Sequence, residues 1–280
     1  MKSKRIIKFI IYIVALICFT IFFSNVRKEE NKVNPKAFNI HFFNAGKADA
    51  ILINNNDKTI MIDTGEITLS NEIKTYFREN DITKIDYLII THFDKDHVGS
   101  ASTIINNYEI GSVLQSNYPK DSVVYRAYLE ALRNKNIEPI TISDNYNFAF
   151  EELSCTVNGP KSIYDEDESN NSSLIVSINY NNANFLFMGD AKNPRIKDFI
   201  NTNNMDYDFI KIPYHGHYLK QLDNLLDNTK PEYAVITSSA SNLEDDKTID
   251  LLKKNSIEYY LTRKGPINIS FKDNSIVVDQ

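Results

Sequence analysis

The interpretation of this chain depends on the stretch Thr91-His92-Phe93-Asp94-Lys95-Asp96-His97-Val98-Gly99. This stretch concentrates potential metal ligands directly after an apolar run. The apolar run is Tyr87-Leu88-Ile89-Ile90, which predicts a buried strand. Two imidazoles and two carboxylates so close together form a dense set of borderline and hard ligands. The first His–Asp pair can point to one position and the second Asp–His pair to another. This spacing suits two metal ions about 3.5–4 Å apart, although a solvated polar loop is the alternative.

Two later segments place similar side chains at the ends of predicted strands. Met188-Gly189-Asp190 ends one strand, where Asp190 could bridge two metal ions. Ile212-Pro213-Tyr214-His215-Gly216-His217 ends another, where His215 could complete a site. Taken singly, the aspartate could cap the next helix and the histidine could be an ordinary loop residue. Because all three segments follow apolar strands, where functional loops gather, we expect them to form one site.

The composition restricts what kind of site this can be. The 280 residues include five His and only two Cys, so neither a disulfide framework nor a Cys-rich zinc finger is available. Mean hydropathy is slightly negative, which excludes a polytopic membrane protein. Any metal site must therefore be built from His, Asp and Glu.

The amino-terminal residues are predicted to form a separate segment. Four early cations precede an uncharged apolar run from Phe9 to Phe23, as in a signal peptide or signal anchor. No small-residue cleavage site follows, which favours an anchor at the cell membrane with a cytoplasmic N-terminus and an extracellular body. If the segment is cleaved, the protein is secreted. We predict a membrane anchor or signal segment at residues 1–26, a linker at 27–36 and one domain at 37–280.

The charge balance changes once the amino terminus is set apart. Of the 31 Lys and Arg and 37 Asp and Glu, six and two respectively lie in residues 1–30. The remaining 250 residues carry 25 cations and 35 anions, a net charge of −10. Duplex DNA binding depends on a basic face that neutralises phosphates. We therefore expect no strong duplex DNA binding, although a local basic strip is compatible with these counts.

The body alternates predicted strands and helices, and each half begins with strands before helices enter. The predicted helices are residues 69–80, 99–107, 125–134, 194–201, 219–226 and 249–255. The predicted strands are residues 38–44, 50–54, 59–63, 86–91, 113–115, 137–142, 153–157, 173–180, 184–188, 209–213, 233–237, 257–261, 268–271 and 276–278. Two mixed sheets packed face to face with helices outside satisfy this pattern, so we predict an α/β four-layer αββα sandwich.

Five motifs, in order, resemble the metallo-β-lactamase fold, and within it the branch of the ComEC C-terminal domain and its stand-alone relatives. They are Phe42-Phe43-Asn44-Ala45-Gly46-Lys47-Ala48-Asp49-Ala50-Ile51-Leu52-Ile53, Met61-Ile62-Asp63-Thr64-Gly65, the stretch quoted first, Asn171-Ser172-Ser173-Leu174-Ile175-Val176 with Met188-Gly189-Asp190, and Lys211-Ile212-Pro213-Tyr214-His215-Gly216-His217. The similarity covers roughly residues 37–272. It implies the αββα fold and a two-metal site that holds zinc, with manganese as a possible substitute.

The resemblance assigns ligands to two metal positions. The first metal position comprises His92, Asp94 and Asp190, with Asp94 where many family members carry a second His. The second metal position comprises Asp96, His97, Asp190 and His215. We map the last ligand onto His215 with His217 as the fallback, because Tyr214 replaces the first His of the family's paired-His element.

One departure weakens the first metal position. No His lies between His97 and His215, so the broader family's middle His ligand is absent. The second metal position is therefore the better supported of the two. A carboxylate from the acidic run at residues 165–168 could substitute, although that run is most simply a solvated loop.

Three further residues are expected to support the ligands. The resemblance suggests that Asp63 and Thr64 orient ligand histidines, although a structural turn is an equal interpretation. Asp49 could support the same region or stabilise the turn after Gly46. We expect His41, within a predicted strand, to be packed rather than to bind metal.

The resemblance implies phosphodiester hydrolysis by a metal-bridging hydroxide. Asp96 would hold or orient the hydroxide, and His217 or Tyr214 would contact the leaving oxygen. The expected substrate contains a phosphodiester, whether in a small molecule, a surface polymer or single-stranded nucleic acid. The alternatives are a lactamase or thioesterase-like hydrolase on the same centre, and a non-catalytic surface binding module with a degenerate site.

Overall fold

Two β-sheets stacked face to face form the centre of the domain, and helices cover both outer faces. The computed structural model describes Phe19, residues 38–162, Tyr164 and residues 167–280. Apart from Phe19, the predicted anchor at 1–26 and linker at 27–36 lie outside these residues. Among the described residues, no helix is both long enough and apolar enough to cross a membrane.

The described strands and helices follow one another in mixed order along the chain. The strands are β1 (Asn39–Phe42), β2 (Ala50–Asn55), β3 (Lys58–Thr64), β4 (Lys84–Ile90), β5 (Glu109–Ser116), β6 (Ile140–Ile142), β7 (Asn145–Phe150), β8 (Leu153–Asn158), β9 (Ile175–Tyr180), β10 (Ala183–Phe187), β11 (Phe209–Lys211), β12 (Tyr233–Ile236), β13 (Glu258–Leu261), β14 (Ile267–Lys272) and β15 (Ser275–Asp279). The helices are α1 (Ser70–Glu79), α2 (Lys95–Val98), α3 (Ala101–Asn107), α4 (Val123–Asn134), α5 (Glu168–Asn171), α6 (Asn193–Thr202), α7 (Leu222–Thr229) and α8 (Asp246–Lys254). Short 3₁₀ turns lie at Ile67–Leu69, Tyr214–Gly216 and Thr262–Lys264.

Both sheets are mixed. The first sheet has the strand order β15-β14-β1-β2-β3-β4-β5-β6, and the second has β13-β12-β11-β10-β9-β8-β7. In each sheet an antiparallel meander joins a set of parallel strands, with β3 to β6 parallel in the first and β10 to β13 in the second. The parallel strands are covered on both faces, which is why runs such as Leu88-Ile89-Ile90 are apolar throughout.

Three apolar layers hold the sandwich together. Between the sheets, Ile40, Ile62 and Ile89 of the first sheet belong to one buried cluster with Val176 and Phe187 of the second. The other two clusters pack the outer sheet faces against helices, α1, α3 and α4 on the first sheet and α6, α7 and α8 on the second. The predicted four-layer αββα sandwich is confirmed.

Strand β7 was not predicted from the sequence. Its residues alternate between exposed and half-buried, and it pairs antiparallel with β8 at the edge of the second sheet. Its half-buried Phe148 stacks on Tyr87 of β4 with ring centroids 3.7 Å apart. The three asparagine and aspartate residues at 144, 145 and 147 resemble a turn, which explains why the sequence pattern concealed the strand.

Candidate metal centre

His92 lies two residues after the end of β4 and is fully buried. Its Nδ1 lies 3.1 Å from Thr91 Oγ1 and 3.4 Å from Ser173 Oγ. The Thr91 hydroxyl donates to Asp63 Oδ2 at 2.6 Å, so its oxygen is left to accept a hydrogen bond from His92 Nδ1–H. Nε2 therefore carries the free lone pair, as a metal ligand requires. Burial, followed by the neighbouring His97, lowers the pKa of His92 to about 4 and keeps the ring neutral.

His97 lies in α2 and is fixed by the same aspartate. Its Nδ1 donates to Asp63 Oδ2 at 2.8 Å, and Thr64 Oγ1 donates to the His97 carbonyl at 2.9 Å. Asp63 is the penultimate residue of β3 and has a left-handed conformation, with φ of 55°. The ring of His97 is thereby held with Nε2 facing Asp190, whose Oδ2 is 3.4 Å away. Asp63 thus contacts the ring of His97 and Thr64 contacts its backbone, and the ligand-orienting role of both stays a prediction.

His215 is positioned by a comparable relay from the other sheet. Its Nδ1 lies 3.1 Å from Thr237 Oγ1, and the Thr237 hydroxyl donates to Asp49 Oδ1 at 2.7 Å. The threonine oxygen therefore accepts from His215 Nδ1, which leaves Nε2 unprotonated. That nitrogen lies 3.0 Å from Asp190 Oδ2 and 3.6 Å from Asp96 Oδ2.

Four donor atoms converge without hydrogen-bond partners. Among the described residues, Nε2 of His92, His97 and His215 and Oδ1 of Asp190 are buried and make no hydrogen bond. Buried polar atoms without a partner are costly, and imidazole nitrogens beside carboxylates are the donors that divalent transition metals prefer. The residues therefore fit a metal ion.

The donors form two overlapping groups rather than two separate sites. One group is His92, His97 and Asp190, and the other is Asp96, His97 and His215. His97 belongs to both. The sequence had placed His97 in the second metal position alone. A third group consists of Asp49, Asp63 and His97. Its two carboxylates already accept hydrogen bonds from Thr91 and Thr237, and Asp49 also pairs with Lys211.

Asp94 and Asp96 each contact a lysine. Lys120 Nζ and Ser169 Oγ both donate to Asp94 Oδ1, which is 4.0 Å from His92 Nε2. Burial would raise the pKa of Asp94, but His92, Lys120 and Ser169 lower it overall. Lys47 Nζ lies 3.1 Å from Asp96 Oδ2.

Lys211 is a site residue that the sequence analysis missed. It is fully buried, pairs with Asp49 Oδ2, and donates to the Gly189 carbonyl at 3.1 Å. Burial would raise the pKa of Asp49, but Lys211, His97 and His215 lower it. This lysine therefore compensates the negative charge of Asp49 beneath the ligands. Its signal was a lysine inside the apolar run Phe209-Ile210-Lys211-Ile212.

His217 and His41 lie outside the donor groups. His217 Nε2 lies 3.0 Å from Asn242 Oδ1, its Nδ1 lies 3.5 Å from Asp245 Oδ1, and its side chain is partly exposed. The structure thus gathers His215, rather than His217, with Asp190. His41 is buried in β1, bonded to Asn268 at 2.7 Å and stacked on Tyr76.

The sequence model of the Metallo-beta-lactamase superfamily matches residues 44–238. The chain belongs to the metallo-β-lactamase superfamily. Members of this superfamily are mostly metal-dependent hydrolases, and the matched residues include all the donors in the two overlapping groups.

Two curated relatives are ComEC-like proteins, which confirms the branch predicted from the motifs. ComE operon protein 3 of Bacillus subtilis is 24% identical over 201 residues, which cover 69% of this chain and 25% of that protein. Recombination protein 2 of Haemophilus influenzae is 25% identical over 237 residues, which cover 82% of this chain and 27% of that protein. The chain spans about a quarter of the length of either relative.

Solved structures share the fold at low sequence identity. The metallo-β-lactamase fold protein YhfI of Bacillus subtilis matches with a TM-score of 0.54 at 10% identity, over 87% of this chain and 100% of that one. CmlA, a diiron β-hydroxylase of Streptomyces venezuelae, matches with a TM-score of 0.53 at 13% identity, over 81% and 53%. At these identities the likeness concerns the fold alone.

Proposed function

We propose that this chain is a metal-dependent phosphodiesterase. The proposal rests on one observation, the convergence of three buried, unpartnered histidine nitrogens on Asp190. His92, His97, Asp190 and His215 would hold the metal, with Asp96 at its side. When bound, a divalent cation lowers the pKa of water and polarises a phosphoryl oxygen. Imidazole donors suit zinc, and the added carboxylates tolerate manganese.

The chain's own residues prepare the centre for this chemistry. Asp63 and Thr237 orient His97 and His215 with Nε2 toward Asp190. Burial lowers the pKa of His97, but Asp190 and Asp63 raise it well above its usual value, so metal binding would displace a proton from this ring. Asp96, which is buried beside Lys47, would orient the attacking water. His217 or Tyr214, which lie beside His215 in the chain, would contact the leaving oxygen.

The charges around the site favour an anionic substrate over a neutral lactam. Lys47 and Lys120 each pair with a site carboxylate, and Lys192 Nζ lies 3.9 Å from the ring centroid of Tyr214. Each of these lysines is paired with a carboxylate, Lys192 with Asp167, and a substrate phosphate would accept hydrogen bonds from the same ammonium groups. One relative is named for recombination, a process that acts on nucleic acid, which is itself a phosphodiester. Small molecules, surface polymers and single-stranded nucleic acid all remain within the proposed class.

Activity against three substrates tests the proposal. The purified chain, loaded with Zn²⁺ or Mn²⁺, should hydrolyse bis-nitrophenyl phosphate and single-stranded DNA, and should leave a β-lactam intact. His215→Ala should abolish turnover, whereas Asp208→Asn, a change far from the donors, should not. Turnover of the lactam without turnover of either phosphodiester would reverse the assignment to a lactamase-like hydrolase. Phosphodiester hydrolysis that continues after the metal is removed would contradict the metal-dependent mechanism.

We also propose that residues 1–26 anchor the protein at the cell membrane with the domain outside. The support is the cluster of early cations before the apolar run. Protease added to intact cells should remove the domain while leaving a cytoplasmic control protein intact. A domain protected from the protease would contradict the proposed orientation.

A further inference from the structure

The side chain of Asp94 is hydrogen-bonded to other protein groups, which compete with a metal ion for it. Lys120 Nζ and Ser169 Oγ both donate to its Oδ1. This oxygen is also the one that lies 4.0 Å from His92 Nε2, so an ion bound between Asp94 Oδ1 and His92 would compete with both donors. An ammonium and a hydroxyl already occupy its accepting directions.

The two partners of Asp94 are held by a built arrangement of loops. Lys120 follows β5, and Ser169 lies in α5. Tyr118 donates to Glu168, and Ser116 Oγ donates to the Ser172 carbonyl at 2.8 Å, so two further bonds join the end of β5 and its following loop to the α5 region. The position of Lys120 is therefore set by the fold around it rather than by its contact with Asp94 alone.

The shared histidine also leaves the first metal position short of ligands. The two donor groups share His97, whose Nδ1 is already bonded to Asp63. Only Nε2 remains, and an imidazole nitrogen has one lone pair to give to one ion. If His97 binds an ion beside Asp96 and His215, an ion beside His92 is left with Asp190 and Asp94 as its other protein ligands. The chain also has no His between 97 and 215 to replace it.

We infer that the centre holds one metal ion, and that the Lys120 ammonium supplies the positive charge of the first metal position. This rests on the metal centre of the proposed function and specifies it further. The ion is held by the donors grouped around His97 and Asp190. Lys120 is about one-third exposed, so a substrate phosphate oxygen can approach an ammonium there instead of a second ion. Lysine acts on phosphates as such a point charge.

Counting metal ions tests this directly. The full chain is stripped with chelator, dialysed against Mn²⁺, and its metal content per chain is measured together with the electron paramagnetic resonance spectrum. We expect one ion per chain, the spectrum of an isolated Mn²⁺, and no change in either on Asp94→Asn. Lys120→Ala frees Asp94, so a second, weaker equivalent should appear at higher Mn²⁺. Lys47→Ala, the matched control at Asp96, should keep the count at one.

The outcomes separate this inference from the proposed activity. Two ions per chain with an exchange-coupled spectrum, falling to one in Asp94→Asn, would overturn it even if phosphodiesters are hydrolysed. One ion per chain without turnover of bis-nitrophenyl phosphate would support it and contradict only the proposed phosphodiesterase. A Lys120→Ala chain that folds, by circular dichroism, yet never binds a second ion would also count against it. If that variant fails to fold, the wild-type and Asp94→Asn counts decide alone.

Discussion

At the residue scale, one carboxylate controls the protons of two histidines. Asp63 accepts from the Thr91 amide at 2.8 Å, from the Thr91 hydroxyl and from His97 Nδ1. Through the threonine it also fixes the tautomer of His92. Three donors therefore face one side chain that only accepts, so an amide at this position would turn a donor toward another donor.

We therefore expect Asp63→Asn to weaken metal binding by about 10–100-fold, the usual effect of removing a partner that orients a ligand. Competition with a chromogenic chelator would measure the change in Kd for Zn²⁺. Asp208→Asn is the matched control, because Asp208 accepts from a backbone amide far from the donors. An unchanged Kd in a folded Asp63→Asn chain would show that the histidines do not depend on this carboxylate.

His41 gives the fold a pH dependence that is separate from the metal centre. Burial, partly offset by the hydrogen bond to Asn268, lowers its pKa to about 4 from 6.5 in the unfolded chain. Between these values the unfolded state binds more protons, so the free energy of unfolding falls as pH drops from 6.5 toward 4, by at most roughly 3 kcal/mol.

Denaturant titrations of the metal-free chain across this pH range would test that contribution. His41→Phe keeps an aromatic ring against Tyr76 and should reduce the slope, while His92, whose pKa burial also lowers to about 4, keeps the remainder. Tyr76→Phe keeps the stack without removing a group that titrates there, so it should retain the wild-type slope. Equal slopes in wild type and His41→Phe would assign the acid sensitivity to other groups.

The residues predictable from sequence were those whose chemistry is rare and local. Four of the five histidines lie in the two motifs, and three of these converge. Lys120 and Ser169 could not be placed, because they reach Asp94 from a loop and a short helix that are distant in sequence. Their side-chain types are common on any surface. Only the packing of these two segments brings them to the site.

At the element scale, the metal-binding loop is held by a close backbone crossing. A Cβ on Gly99 would lie 2.4 Å from the Lys95 carbonyl oxygen and 2.7 Å from both the Gly65 carbonyl oxygen and the Ile67 amide nitrogen. Ser100 Oγ donates to the Glu66 carbonyl at 2.6 Å across the same crossing. The turn after β3 and the start of α3 therefore touch backbone to backbone.

Gly99→Ala should lower the free energy of unfolding by about 1–3 kcal/mol, because the backbone atoms facing the new methyl group must move. It should also weaken Zn²⁺ binding, since His97 lies two residues away on the displaced loop. Denaturant unfolding and chelator competition would measure the two effects. Asn106→Ala, on the exposed face of α3, should leave both unchanged. A Gly99→Ala chain with wild-type stability would contradict the close crossing.

Secondary structure was predictable where burial was strong. Strands such as β4 and β10 are apolar because both faces are covered, and such runs are visible in any sequence. Edge strand β7 is polar on alternate positions and its apolar face is only half buried. The polar residues of β7 favour a turn over a strand. Its pairing with β8 and the stack on Tyr87 are therefore visible only in the structure.

At the scale of the whole molecule, the metal centre joins the two sheets. His92 and His97 follow β4 of the first sheet, whereas Asp190 and His215 follow β10 and β11 of the second. Helices on the outer faces leave these strand ends free to meet at one edge of the sandwich. An ion bound by all four residues therefore has ligands only when both sheets are folded and stacked.

Metal binding should therefore stabilise the whole domain and not a single loop. A ligand that binds only the folded state contributes about 2.7 kcal/mol at a free concentration 100 times Kd, which for a domain of this size raises Tm by about 5–10 °C. Scanning calorimetry with Zn²⁺ and with chelator would measure that increment. His215→Ala should lose most of it, whereas His217→Ala should keep it, because His217 bonds to Asn242 and Asp245 instead of joining the donors. An increment that survives in His215→Ala and vanishes in His217→Ala would exchange the roles of the two histidines.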